Sequence, residues 1–260
     1  MSALTVLVVG ATGSIGVHVV EEALAQGHRV RALARDSSRT QNLSAEADIV
    51  IGDLTNADTL RDAVADIDAV VFAHGSHGGR GEAERVDYGA VRNVLTALGG
   101  RRVRVALMTA VGTTDRANEG HDWKRRAERL VRASGNAYAI ARPGWFDYNS
   151  PDQRRIVMRQ GDLYSTASPA DGVIARDQIA RVLVDSLRSD EADHTTFELV
   201  ATAAPRNPTS RRSSVHCPRT RHSTAPWIRT TCPSTRNPKA FETTSTHSGA
   251  EPWGSSETHA

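Results

Sequence analysis

Val6-Leu7-Val8-Val9-Gly10-Ala11-Thr12-Gly13-Ser14-Ile15-Gly16 takes the chain from an apolar run straight into three closely spaced glycines. Thr5–Val9 reads as a buried strand, and Ser14–Gln26 as an amphipathic helix closed by Gly27. Gly10 permits the tight turn, Gly13 lets backbone approach a pyrophosphate, and Gly16 lets the helix pack closely on the strand. The helix start then offers unpaired N–H groups and a positive dipole end to phosphate oxygens. Gly10, Ala11, Thr12, Gly13, Ser14, Ile15 and Gly16 are therefore expected to bind a dinucleotide.

Working outward, short β-branched runs alternate with helical patterns, the arrangement of a parallel sheet covered on both faces. Further strands are expected at Arg29–Leu33, Asp48–Ile51, Ala69–Ala73, Val103–Met108, Tyr138–Arg142 and Thr196–Val200. Helices are expected at Ala57–Val64, Glu82–Leu98, Asp122–Ala133 and Asp177–Leu187. The fold class is α/β: a Rossmann-type, doubly wound, mostly parallel sheet forming one domain over residues 1–204. Beyond Ala204 lie seven of the ten prolines and 8 of the 32 Lys and Arg, against only 3 of the 30 Asp and Glu. Few aliphatic residues occur there, too few to offset conformational entropy by burial, so 205–260 reads as a disordered tail.

Three strand ends point to the ligand. The second runs Ala34-Arg35-Asp36, placing alanine where an acid would serve a ribose 2′-OH. Arg35 can pair with a 2′-phosphate, helped by Arg31 or Arg39, whereas Asp36 is the candidate for a ribose. The expected cofactor is NADP(H), with NAD(H) the alternative. The third ends Gly52-Asp53-Leu54, where Asp53 suits an adenine amino group. The fourth ends Ala73-His74-Gly75-Ser76, small residues suited to the adenosine ribose. His74 and His77 sit in a glycine-rich stretch with no third ligand in sequence, so no metal is expected. Cys217 and Cys232 fall in the tail, which leaves the domain without a disulfide framework. No apolar run of membrane-spanning length and no leader pattern occurs, so a soluble cytoplasmic protein is expected, without membrane or specific nucleic-acid partners.

The sequence resembles the atypical short-chain dehydrogenases/reductases, in the NAD(P)H-binding group that includes NmrA-like regulators and the flavin and biliverdin-IXβ reductases. Carrying the resemblance are Gly10–Gly16, Gly52-Asp53-Leu54, Val86-Asp87-Tyr88-Gly89-Ala90-Val91-Arg92-Asn93, Lys124-Arg125-Arg126-Ala127-Glu128, Ser134-Gly135 and Ala141-Arg142-Pro143-Gly144. It implies that Lys124 holds the nicotinamide ribose, that the Pro143 backbone borders the nicotinamide, and that Trp145 and Phe146 wall the substrate side. Four residues before Lys124, where the dehydrogenases carry a proton-donating tyrosine, stands Gly120. Thr109 is then expected to orient a substrate carbonyl, and His121, with Asp122, to be a substitute proton donor or the start and cap of a helix. Two functions follow: an oxidoreductase passing hydride to a conjugated or flavin-like small molecule, or a non-catalytic redox sensor acting through a protein partner. A nucleotide-sugar epimerase is weaker, because that chemistry leans on the missing tyrosine.

Overall fold

Every residue of β1 (Thr5–Val9) is buried, because apolar layers cover both faces of the sheet. Val6 and Val8 enter one layer while Leu7 and Val9 enter the other, the period-2 alternation of a central parallel strand. Each such side chain contributes roughly 1.5–3 kcal/mol through burial. A computed structural model describes residues 2–162, 166 and 168–203; the expected tail at 205–260 lies outside them.

The strands following β1 are β2 (Arg29–Ala34), β3 (Asp48–Ile51), β4 (Ala69–Phe72), β5 (Arg104–Met108) and β6 (Ala137–Pro143). After them come β7 (Trp145–Phe146), β8 (Arg155–Arg159), β9 (Val173–Ile174) and β10 (Thr195–Thr202). The order is β3-β2-β1-β4-β5-β6-β10, parallel throughout, with β8 and β9 antiparallel to β10 and β7 parallel to β9. Helices α1 (Gly16–Ala25) and α5 (Arg176–Ser186) cover one face. On the other lie α2 (Arg61–Val64), α3 (Gly89–Leu98) and α4 (Glu119–Ala133).

Where the elements differ from expectation, the causes are local. A wide π turn at Glu84–Tyr88 precedes α3, so the expected helix at 82–98 is divided in two and Asp87 becomes buried. A 3-10 turn at Ala57–Leu60 leads into α2. Helix α4 begins at Glu119, because Asn118 caps it by accepting from His121 N at 3.1 Å; Asp122 is therefore not the cap. Among the described residues no helix is long and apolar enough to cross a membrane.

Candidate dinucleotide site

The strand order reverses between β1 and β4, and in a parallel α/β sheet such a switch point opens a crevice at the carboxyl ends. Gly10 enters it with φ +85, and a Cβ there would stand 2.8 Å from His74 Cα. A Cβ on Gly16 would lie 1.9 Å from Gly10 O, so α1 can leave the sheet here only through glycine. Gly13 differs. Its N–H donates to Gly10 O at 2.9 Å, but a Cβ on it would meet nothing nearer than that oxygen at 3.2 Å, and the residue is exposed. Ala11 and Ile15 are buried in the core, Thr12 is half-buried and Ser14 exposed. Among the described residues, the amides of Ser14, Ile15 and Gly16 have no hydrogen-bond acceptor. The turn is thus a cradle of unpaired donors whose shape requires glycine, which suits a diphosphate.

At the end of β2 the two rival side chains separate. Asp36 caps a 3-10 turn at Ser37–Arg39, accepting from Ser38 N at 3.0 Å and from the Ser38 hydroxyl, and Arg39 lies against it. The Ser38 bond chiefly holds its carboxyl below the usual range. Arg31 is committed as well: its guanidinium donates to the carbonyls of Asp62 and Ala63 at 3.0 and 3.2 Å and pairs with Asp48, so it fastens the end of α2 instead of serving a ligand. Arg35 is exposed and makes no hydrogen bond among the described residues. Asp53 Oδ1 accepts from Thr55 N at 2.8 Å, which is the main reason its carboxyl sits low, with the Thr55 side chain adding to it. The carbonyl of Leu54 accepts from Asn93 Nδ2 at 2.7 Å, tying this loop to α3.

Beyond β4, Ala73 is buried, Gly75 exposed, and Asp87 collects the surrounding donors. Ser76 donates to it through N at 3.1 Å and Oγ at 2.7 Å, and Lys124 Nζ lies 2.6 Å from Oδ1. The Asp87 side chain is 2 % exposed. Nδ1 of His74 is buried without a partner among the described residues. Burial, opposed by Asp87 and reinforced by Lys124, lowers the His74 pKa to about 4, so the ring is neutral at pH 7. Lys124 thus reaches the mouth of the crevice through Asp87, a residue that stood inside a quoted motif but had no role assigned from sequence. Among the described residues no three of His, Cys, Asp or Glu come together as a metal site.

Residues 10–190 match the sequence model described as NAD(P)H-binding. The chain belongs to this NAD(P)H-binding family. Sanguinarine reductase of Eschscholzia californica is 25% identical over 245 residues, covering 75% of this chain and 88% of its own. The uncharacterized sugar epimerase YhfK of Bacillus subtilis is 27% identical over 216 residues, covering 78% and 96%. A Bacillus halodurans structure named as an NAD-dependent epimerase/dehydratase superposes with a TM-score of 0.68 at 26% identity, covering 78% and 96%. As an NAD(P)H-binding family member with a reductase among its relatives, the chain falls in the oxidoreductase class.

Two expectations for this NAD(P)H-binding site need correction. Thr109 is 3% exposed, and its hydroxyl donates to Glu128 Oε1 at 2.9 Å, so its single proton is spent and cannot orient a substrate carbonyl. Asp122 accepts from Arg116 and Arg126 at 2.8 Å each; these bonds hold its carboxyl below the ordinary range, the wrong direction for a proton donor. His121 Nδ1, by contrast, is buried with no partner among the described residues. The carbonyl of Pro143 accepts from Val111 N at 3.1 Å, which continues the β5–β6 ladder. Trp145 is 39% exposed with Tyr148 edge-on at 5.8 Å, and Phe146 is half-buried beside them.

Between β6 and α4 lies a buried ionic cluster that sequence reasoning did not foresee. Arg142 donates from Nε and Nη2 to the two oxygens of Glu128 at 2.9 and 2.7 Å. Asp162 and Glu198 each stand 3.7 Å from Nη1. Burial alone would lower the Arg142 pKa, but the Glu128 bonds and the three negative charges outweigh it and hold the guanidinium charged. Asp162 in turn accepts from Gly112 N and Thr114 N at 2.7 Å each, fixing the loop after β5.

Proposed function

We propose that this protein is an NADP(H)-dependent reductase of conjugated or flavin-like small molecules that works without a catalytic tyrosine. The carrying observation is the division of labour after β2, where Asp36 is consumed by its own turn while Arg35 stands exposed with no hydrogen bond among the described residues. A guanidinium so placed pairs bidentately with a 2′-phosphate; a capped carboxylate does not reach for a ribose. The bound dinucleotide supplies the hydride. The chain's residues do the rest. The amides of the glycine turn bind the diphosphate, and the exposed Asp53 carboxylate accepts from the adenine amino group. Asp87 aims Lys124 at the nicotinamide ribose, while Trp145 and Phe146 exclude water from the acceptor side. Water or His121 delivers the proton. Acceptors of this kind need little acid–base help, which agrees with Gly120 in the tyrosine position. The same glycine favours the second reading, a redox sensor that binds NADP(H) without turnover and reports to a protein partner.

Arg35→Ala is expected to weaken NADPH about ten- to a hundredfold while sparing NADH, since a lost charge-assisted pair is worth roughly 1.5–3 kcal/mol. Isothermal titration with both cofactors checks it. Equal loss on the two, or a wild-type preference for NADH, overturns the assignment to NADP(H).

A further inference from the structure

Helices α1 and α5 lie side by side on one face of the sheet. Their far ends are tied by Gln26 Nε2 donating to Asp185 Oδ1 at 2.7 Å. At the near end, the first residue of α5 reaches across to the glycine turn, with Arg176 Nε donating to Ser14 Oγ at 3.1 Å. The other side of the guanidinium rests on Asp147, which also accepts from Arg176 N at 3.0 Å. Its carbon stands 5.5 Å from the Phe146 ring centre. Asp147 is itself held in a left-handed conformation, φ +58, by its N–H donating to Ile174 O at 2.9 Å.

One cation thus touches both the phosphate cradle and the wall on the acceptor side. Its side chain is 33% exposed, accessible but anchored. The other cations near the crevice have different stations: Arg35 at the end of β2, and Lys124 on Asp87. The amides of Ser14, Ile15 and Gly16 supply donors but only partial charge, whereas a diphosphate carries two formal negative charges in the crevice. Arg176 is the side chain placed to meet them.

We propose that Arg176 is a diphosphate-binding residue, donating to the cofactor diphosphate over the glycine turn while Asp147 holds the guanidinium in position. This rests on the dinucleotide reading of the site. Because Phe146 and Asp147 belong to the segment walling the acceptor side, the same arginine joins cofactor binding to that wall.

Isothermal titration with NADPH, NADH and adenosine 2′-monophosphate separates Arg176 from its alternatives, since the last ligand carries the 2′-phosphate and lacks the diphosphate. Arg176→Ala is expected to weaken NADPH and NADH alike, by about tenfold or more, and to leave adenosine 2′-monophosphate unchanged. Arg35→Ala should give the complementary pattern, losing NADPH and adenosine 2′-monophosphate while sparing NADH. Arg176→Gln keeps a hydrogen-bonding head for Ser14 and Asp147 but no charge, and replaces the alanine variant if that one is poorly folded. Its expected pattern is the same. Unchanged NADPH and NADH affinity in the variant, or equal loss on all three ligands, overturns the diphosphate role while the cofactor assignment stands. A wild-type protein that binds neither NADPH nor NADH overturns the assignment itself.

Discussion

Gly13→Val is expected to lower NADPH affinity by on the order of a hundredfold or more while the protein keeps its fold. The two halves of that result come from different contacts. Toward the protein, a Cβ on Gly13 meets only Gly10 O, at 3.2 Å, an approach that a shift of a few tenths of an ångström relieves. Toward the ligand, a branched side chain fills the cradle in front of the unpaired amides of Ser14, Ile15 and Gly16. Loss of two charge-assisted hydrogen bonds at roughly 1.5 kcal/mol each already amounts to about a hundredfold. Gly16→Ala is the informative contrast, because its Cβ would stand 1.9 Å from Gly10 O. That overlap is with backbone on both sides, so a destabilisation of about 4 kcal/mol or more is expected. Urea titration of the two variants beside NADPH titration of Gly13→Val checks both. Near-native NADPH affinity in a folded Gly13→Val protein contradicts the placement of the diphosphate.

The second large effect concerns the buried cluster. Arg142→Leu removes the guanidinium from Glu128, whose side chain is 0% exposed, and from Asp162 and Glu198, while Arg132 stays 3.0 Å from Glu128. Removing one side of a buried ion pair typically destabilises by about 3–5 kcal/mol, because the surviving charges stay desolvated without compensation. The pH dependence has a definite sign. Burial already raises the Glu198 pKa in the wild type, and losing the neighbouring cation moves it in the same direction. A carboxyl whose folded pKa exceeds its unfolded value takes up its proton preferentially in the folded state. Measured against the wild type, which itself loses stability on acidification because buried His74 stays neutral, the variant's deficit should therefore shrink as pH falls from neutrality through the raised folded pKa. Urea midpoints of both proteins at pH 7 and at pH 5 report it. A deficit below about 1 kcal/mol at pH 7, or one that grows on acidification, contradicts the reading of the cluster.

Most of the architecture was legible because it is written in periodicity. Val6 through Val9 alternate between two apolar layers, and Ala90, Val91, Val94 and Leu98 form a buried helical stripe. The short strands β7 and β9 escaped notice, since two-residue strands held by backbone bonds to each other leave no side-chain pattern. The start of α4 was misread for a different reason: Gly120 looks like a helix breaker and hides the cap at Asn118 one turn earlier than expected. In the site, the glycine turn and the end of β2 could be found from local sequence. The sequence already favours Arg35 over Asp36, and the Ser38 bond that supports this preference is a local contact that only coordinates reveal. The Arg142–Glu128 pair links a strand to a helix, and Arg176 meets Ser14 across 162 residues. Neither leaves a local signature, and Glu128, set among Arg125, Arg126, Arg129 and Arg132, reads in sequence as one more charge on a polar helix.

Hydride leaving the bound cofactor for a small conjugated acceptor is the step on which the proposed function depends. Stopped-flow single-turnover oxidation of NADPH, run against flavins, quinones and enones with protium or deuterium at the transferred C4 position, measures this directly. The expected result is rapid oxidation by at least one class of acceptor, slowed by deuterium. Tight NADPH binding with no oxidation by any of the three contradicts the reductase reading and leaves the redox-sensor reading in its place.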